Sequence, residues 1–197
     1  MKHIKSCFSM GLELINRFYD TLDSLEKKVD LERLVEVLIR NKSNRGEVPI
    51  FTCNMVMGNP NYEAIENNNF EKFFHRNLFD SYTYYYNEDL RHIWDYAIEK
   101  KILKPQFHAR EHLNISLWMK DLKNNLHDTR FAFNNGFYGL KTITSSRFQN
   151  NYLAAYYAES FDQLENIKIT LEDGIKMFQD FWKMKPRSFV CCQLYFT

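Results

Sequence analysis

Hydrophobic positions along this chain recur with helical and extended periods in alternation, and the elements they predict are helices and strands taking turns. Leu31, Leu34, Val35 and Leu38 form one apolar stripe at helical spacing, and Asp30 just ahead of them suits an N-cap, so 30–40 reads as a helix. The polar residues and glycine of 41–46 end it. The apolar, β-branched run over 48–57 then predicts a buried strand, with Pro49 at its start and Gly58-Asn-Pro60 stopping it. The order repeats. Leu90, Ile93, Trp94 and Ala97 make 87–101 an amphipathic helix, and 102–107 is the next strand. A helix over about 116–125 follows, then a long one over about 161–183, and 187–195 reads as a closing strand. Strands separated by helices imply parallel pairing through crossovers, so the fold class is α/β, barrel-like or open.

Composition narrows the picture. A chain of 197 residues fits a single domain, 1–197, with a sizeable core. A net charge of +1 supplies no global field that would point to nucleic acid or an anionic membrane. No apolar run is long enough to cross a bilayer, and the opening residues are too short and polar for a signal sequence. Cys7, Cys53, Cys191 and Cys192 have neither a paired framework nor C-x-x-C spacing, so reduced thiols in a cytoplasm are expected. Tyr82, Tyr84, Tyr85 and Tyr86 crowd together, either as a stacking surface for sugar rings or as a half-buried strand or loop packed on the core.

The candidate chemistry sits in Lys104-Pro-Gln-Phe-His-Ala-Arg-Glu-His-Leu-Asn114. His108 and His112 stand four apart, and neutral imidazole is the commonest protein ligand for zinc and similar metals. They fall where the predicted strand turns into the next helix, which is where open α/β sheets place ligands. Two histidines at this spacing also arise by chance. His-x-x-Glu-His is in addition the inverted zinc-peptidase motif, which needs a regular helix through all five residues. Pro105 and the extended 102–107 run argue against that helix, and a third ligand would have to come from Glu159, Glu165 or Glu172.

Several segments together resemble the bacterial polysaccharide deacetylase-like proteins of the carbohydrate esterase type, over about residues 16–189. Pro105-Gln-Phe-His-Ala-Arg-Glu-His-Leu-Asn114 is similar to that family's Pro-Gln-x-His-Gly-Arg-Glu-His-Leu-Asn signature and is the most specific piece. Arg17-Phe-Tyr-Asp-Thr-Leu-Asp-Ser-Leu-Glu26 and the capped helix after it look like its Asp-x-Leu-Glu-Ser segment. Phe51-Thr-Cys-Asn54 and Gly58-Asn-Pro-Asn-Tyr62 look like its Thr-Ala-Asn strand and Ala-Asn-Pro-Asp-Phe loop. Ala132-Phe133, Phe137-Tyr-Gly-Leu140 and Arg187-Ser-Phe189 agree with later segments.

The resemblance implies an irregular, incomplete (β/α) barrel that removes acetyl groups from a polysaccharide or oligosaccharide. It also implies a zinc or other divalent metal on His108 and His112. Arg110, Glu111, Asn114 and Asn54 match signature positions, as outer supports of the ligands or as substrate contacts; ordinary surface pairing is the alternative for Arg110 and Glu111. The family's metal-binding aspartate and its neighbouring base form an Asp-Asp pair ahead of the Arg17 segment. Residues 1–16 contain no aspartate, although Glu13 is there, and Asp20 and Asp23 belong to a later piece of the pattern. The catalytic base is therefore unassigned, metal binding is expected to be weak, and a catalytically degenerate glycan- or partner-binding domain is the second reading. Ala109 stands where a glycine is usual, which would strain the turn if that position needed positive φ. The family's first strand and its C-terminal part are expected to be missing, leaving an apolar sheet edge through which copies would self-associate, or which a substitute strand drawn from residues 1–13 would cover.

Overall fold

The computed structural model describes the backbone of Glu13–Leu14 and residues 24–190. Along the chain the elements are β1 (Glu13–Leu14), α1 (Lys28–Arg40), β2 (Phe51–Val56), β3 (Gly58–Pro60), α2 (Tyr62–Asn67), β4 (His75–Asn77), α3 (Leu78–Tyr86), α4 (Arg91–Glu99), β5 (Leu103–Ala109), α5 (Ile115–Lys123), α6 (His127–Asn134), β6 (Leu140–Lys141) and α7 (Phe161–Trp182). The class is mixed α/β. β2 and β5 pair in parallel with α3 and α4 between them in sequence, whereas β3–β4 and β1–β6 are short antiparallel pairs. Among the described residues no sheet exceeds two strands and none closes into a barrel.

The amphipathic stripes form the helices they predict, with small shifts at the ends. Asp30 is not the N-cap of α1 but lies inside its first turn, where its carboxylate accepts from the Lys27 N–H at 3.0 Å. Leu31 and Val35 are the buried residues of that helix. α4 buries Ile93, Trp94 and Ala97, as its spacing requires.

Four expectations need correcting. The 48–57 run narrows to β2, and it is not a buried strand: Phe51, Thr52 and Asn54 are exposed, and only one of its edges has a partner among the described residues. The tyrosine cluster is helical, in α3. Asn77 caps that helix by accepting from the Asp80 N–H, Asn87 ends it in the left-handed region, and Leu78, Phe79 and Tyr82 supply its inward face. The closing strand is reduced to one parallel bridge, Phe107 to Phe189, and the rest of that run lies outside the described residues. Ala109 is the last residue of β5, fully buried and without positive φ, so no glycine is needed there.

Among the described residues two large hydrophobic cores form, with a small third cluster of Ala109, Ala155 and Tyr156. The larger packs α1, α3, α4 and the C-terminal half of α7 around β2 and β5, with Phe107, Phe178 and Trp94 near its centre. The smaller gathers Leu113, Leu117, Trp118 and Phe133 with Ile65 and Tyr152. A buried polar network stiffens the second: Asp121, fully buried, accepts from the Tyr152 hydroxyl and the Ser145 N–H at 3.0 Å each, and Thr129 lies 2.6 Å from the same hydroxyl. Residues 108–112 run along the seam, since Phe107 belongs to the first core and Leu113 to the second.

Cys53 is half-buried and free, and burial pushes its thiol up to about 11; Cys7, Cys191, Cys192, Asp20, Asp23 and the Glu13 side chain lie outside the described residues. No helix among the described residues is long and apolar enough to cross a membrane.

Candidate functional site

β5 carries a bulge at the position that matters. Its register with β2 runs Asn54 to Gln106 and Met55 to Phe107, then skips to Val56 opposite Ala109, so His108 has no residue facing it. A bulge turns the side chain of the extra residue out of the strict alternation of a strand. The ladder then continues: Met57 N–H donates to the Ala109 carbonyl at 2.9 Å and Gly58 N–H to the Arg110 carbonyl at 2.7 Å. The chain leaves the strand through His112 and re-enters helix at α5. Asn114 caps α5 by accepting from the Leu117 N–H at 3.1 Å, and its own N–H donates to the Tyr152 carbonyl at 2.6 Å.

This path brings the two imidazoles together. Their ring centroids are 5.4 Å apart and the planes are tilted by 50°. Two imidazoles on one tetrahedral zinc, with Zn–N near 2.1 Å, would place their centroids roughly 5 Å apart, a separation close to the one observed. The Val190 carbonyl lies 2.6 Å from His108 Nδ1. A carbonyl oxygen only accepts, so Nδ1 carries a proton; in the neutral ring the lone pair then falls on Nε2, the form a metal ligand needs. Burial, reinforced by the neighbouring His108, lowers the pKa of His112 and favours its neutral ring. Among the described residues no group of three or more His, Cys, Asp or Glu side chains is placed to hold a metal ion. Two imidazoles would supply only two of the three protein ligands typical of catalytic zinc.

Arg110 and Glu111 are not a surface pair. The Glu111 side chain is completely buried and both of its oxygens accept from Arg110 Nε, at 2.9 and 2.8 Å. Arg110 Nη1 also donates to Asp173 of α7 at 2.8 Å, and His75 Nδ1 of β4 lies 3.8 Å from Glu111. Burial pushes the Glu111 carboxyl up to about 7 against the pull of Arg110; burial and Arg110 lower the pKa of His75. Asp173 reaches this cluster because α7 crosses β5 at Gly174, where a Cβ would stand 2.8 Å from Arg110 Cβ and 2.9 Å from the Phe107 ring. The cluster forms part of the wall of a cavity of about 570 Å³, with Phe73 and Tyr156 as aromatic walls and Asn166 and Ser116 among its polar lining. Tyr156 links it to the imidazole pair, its hydroxyl donating to the His108 carbonyl at 3.4 Å.

The remaining two expected residues behave differently. Asn114 borders the cavity, but its side chain works within the fold: the oxygen caps α5 and Nδ2 donates to the Ala154 and Tyr157 carbonyls at 3.2 and 2.9 Å. Asn54 is exposed on β2 and lines a separate cavity of about 620 Å³ beside Glu26 and Leu34. The inverted-peptidase motif loses its requirement, because the backbone through 108–112 is strand and loop, not helix. His75 and Asp173 carry no local signal in the sequence; Gln106 lies inside the quoted signature, and its partners emerge only in three dimensions.

Comparison with protein-family models, characterised proteins and solved structures returns no match for this chain.

Proposed function

We propose that this chain is a polysaccharide deacetylase-like domain, an irregular and incomplete (β/α) barrel in which His108 and His112 hold zinc or another divalent metal weakly. The observation that carries the reading is the imidazole pair, 5.4 Å apart on a bulged strand end with the His108 tautomer set by a carbonyl. Bound there, a divalent ion would polarise an acetyl carbonyl and lower the pKa of water. Arg110, Glu111 and Asp173 keep the loop between the two ligands rigid. The adjoining cavity, walled by Phe73 and Tyr156, takes the sugar rings of an acetylated polysaccharide or oligosaccharide, with aromatic faces against the apolar faces of the rings. Cytoplasmic location and self-association through the outer edge of β2 belong to the same reading.

The missing Asp-Asp pair favours the second reading for the 197-residue chain itself, a domain that binds glycan with little turnover. A positioned base contributes about a hundredfold to ten-thousandfold in rate, and the family's base has no counterpart in residues 1–16. The test is acetate release from acetylated chitooligosaccharides or acetyl-xylan with zinc or cobalt added, beside calorimetric metal titration and a His112→Ala control. Expected are weak metal binding lost in His112→Ala and acetate release near background. Tight metal binding that ignores His108 and His112 would overturn the metal assignment. Robust turnover abolished by His112→Ala would overturn the degenerate reading and require a ligand and a base from elsewhere in the chain.

A further inference from the structure

We propose that Gln106 is a positioning residue that sets the tautomer and orientation of His108 by clamping residues 187–190 against β5; the relevance to metal rests on the reading above, while the clamp does not. Gln106 is 4% exposed and lies two residues before the bulge. Its Oε1 accepts three hydrogen bonds, from the Arg187 N–H, the Ser188 N–H and the Ser188 hydroxyl, each at 3.0 Å, while Nε2 donates to the Pro105 carbonyl at 2.8 Å. Both ends of the amide are therefore engaged, and two successive backbone N–H groups converge on one oxygen. That convergence fixes the direction in which the chain leaves Ser188. Phe189 then bridges to Phe107, stacks on its ring at 6.1 Å and meets Tyr156 edge-on at 5.5 Å. The next carbonyl, that of Val190, lands 2.6 Å from His108 Nδ1.

Phe189 and Val190 are each about half exposed, at 49% and 47%, and the bridge at Phe189 is isolated. The amide of Gln106 is thus the buried anchor from which the Val190 carbonyl is aimed. Outer partners that accept from the free N–H of a ligand imidazole fix which nitrogen carries the lone pair, and losing them costs roughly 10–100-fold in metal affinity.

The experiment uses the full chain labelled with 15N. Long-range proton–nitrogen spectra report the tautomers of His108 and His112 without metal, and calorimetry with zinc or cobalt alone reports affinity. In the wild type His108 is expected as the Nδ1–H form. Gln106→Met keeps the length and removes the acceptor. It should move His108 toward the Nε2–H form, leave His112 unchanged and weaken metal binding by roughly 10–100-fold. Gln106→Glu, which keeps an acceptor oxygen, should retain the wild-type His108 signature. If Gln106→Met fails to fold, Ser188→Ala combined with Phe189→Ala loosens the same segment from its solvent side and must produce the same His108 shift. An unchanged His108 tautomer in a folded variant, or an equal change at His112, overturns the clamp. A Gln106-dependent tautomer in a chain that binds no metal leaves the clamp standing and removes the metal reading. His108-dependent metal binding that Gln106→Met leaves intact does the opposite.

Discussion

Gly174→Ala should destabilise the protein although it replaces glycine by the best helix former in the middle of a helix. Propensity alone favours the variant by about 1 kcal/mol. Against this, the new Cβ would sit 2.8 Å from Arg110 Cβ and 2.9 and 3.0 Å from two atoms of the Phe107 ring. Neither neighbour yields easily. Arg110 Cβ is fixed by the backbone that continues the β5 ladder, and Phe107, 1% exposed, is wedged between Phe178 and Phe189. Forcing an extra carbon into a packed contact costs about 1–3 kcal/mol. Restoring an ordinary carbon–carbon separation of about 3.6 Å would take a shift of roughly 0.8 Å in α7. That shift would stretch the 2.8 Å Arg110–Asp173 bond to the limit of hydrogen bonding. Discounted for the exposure of Asp173, the lost pair adds about 1 kcal/mol. The balance is a net loss of about 1–3 kcal/mol, or a Tm lower by roughly 5 °C for a domain of this size. Thermal and urea unfolding followed by circular dichroism measure it. In the Gly174→Ala background, Asp173→Asn should cost less than in the wild type, because the pair is already broken. A variant that melts at or above the wild type would refute the close-approach argument.

Three further outcomes follow from the geometry. Glu111, raised from 4.5 to about 7 by burial, contributes stability that is fully present below about pH 4.5 and lost as pH rises through about 7. Glu111→Gln should flatten that window by up to about 3 kcal/mol, read from urea unfolding at pH 5 and pH 8, and an unchanged slope would count against the buried-carboxylate reading. Arg110→Met removes the partner of that carboxylate and should cost about 3–5 kcal/mol at pH 8 but much less at pH 5, where Glu111 can be neutral; equal losses at both pH values would show that packing, not charge, decides. The outer edge of β2, with Phe51 exposed, should give concentration-dependent self-association that Thr52→Lys suppresses, and a clean wild-type monomer by light scattering would exclude that edge as an interface.

Much of the local order was legible from the residues alone. The stripes of α1, α4 and α7 were readable because a helix buries every third or fourth residue whatever lies opposite. Placing His108 and His112 at a strand-to-helix turn was equally local, resting on Pro105, the extended run before it and the apolar helix after Leu113. α3 escaped the same reading because consecutive tyrosines obscure its inward face of Leu78, Phe79 and Tyr82, while the signals that define it are the asparagines at its ends. What the sequence could not show are the relations across distance. The bulge at His108 depends on how β5 registers with β2; Asp173 meets Arg110 from 63 positions away, and Ser188 meets Gln106 from 82. Such contacts follow from how two hydrophobic cores pack and where a single glycine lets α7 approach β5, and no periodicity in the chain encodes a partner that packing selects. Residue type and spacing therefore determined the elements and the imidazole pair, while tertiary packing alone decided that Glu111 is buried, that Asn114 serves the fold, and which carbonyl holds His108.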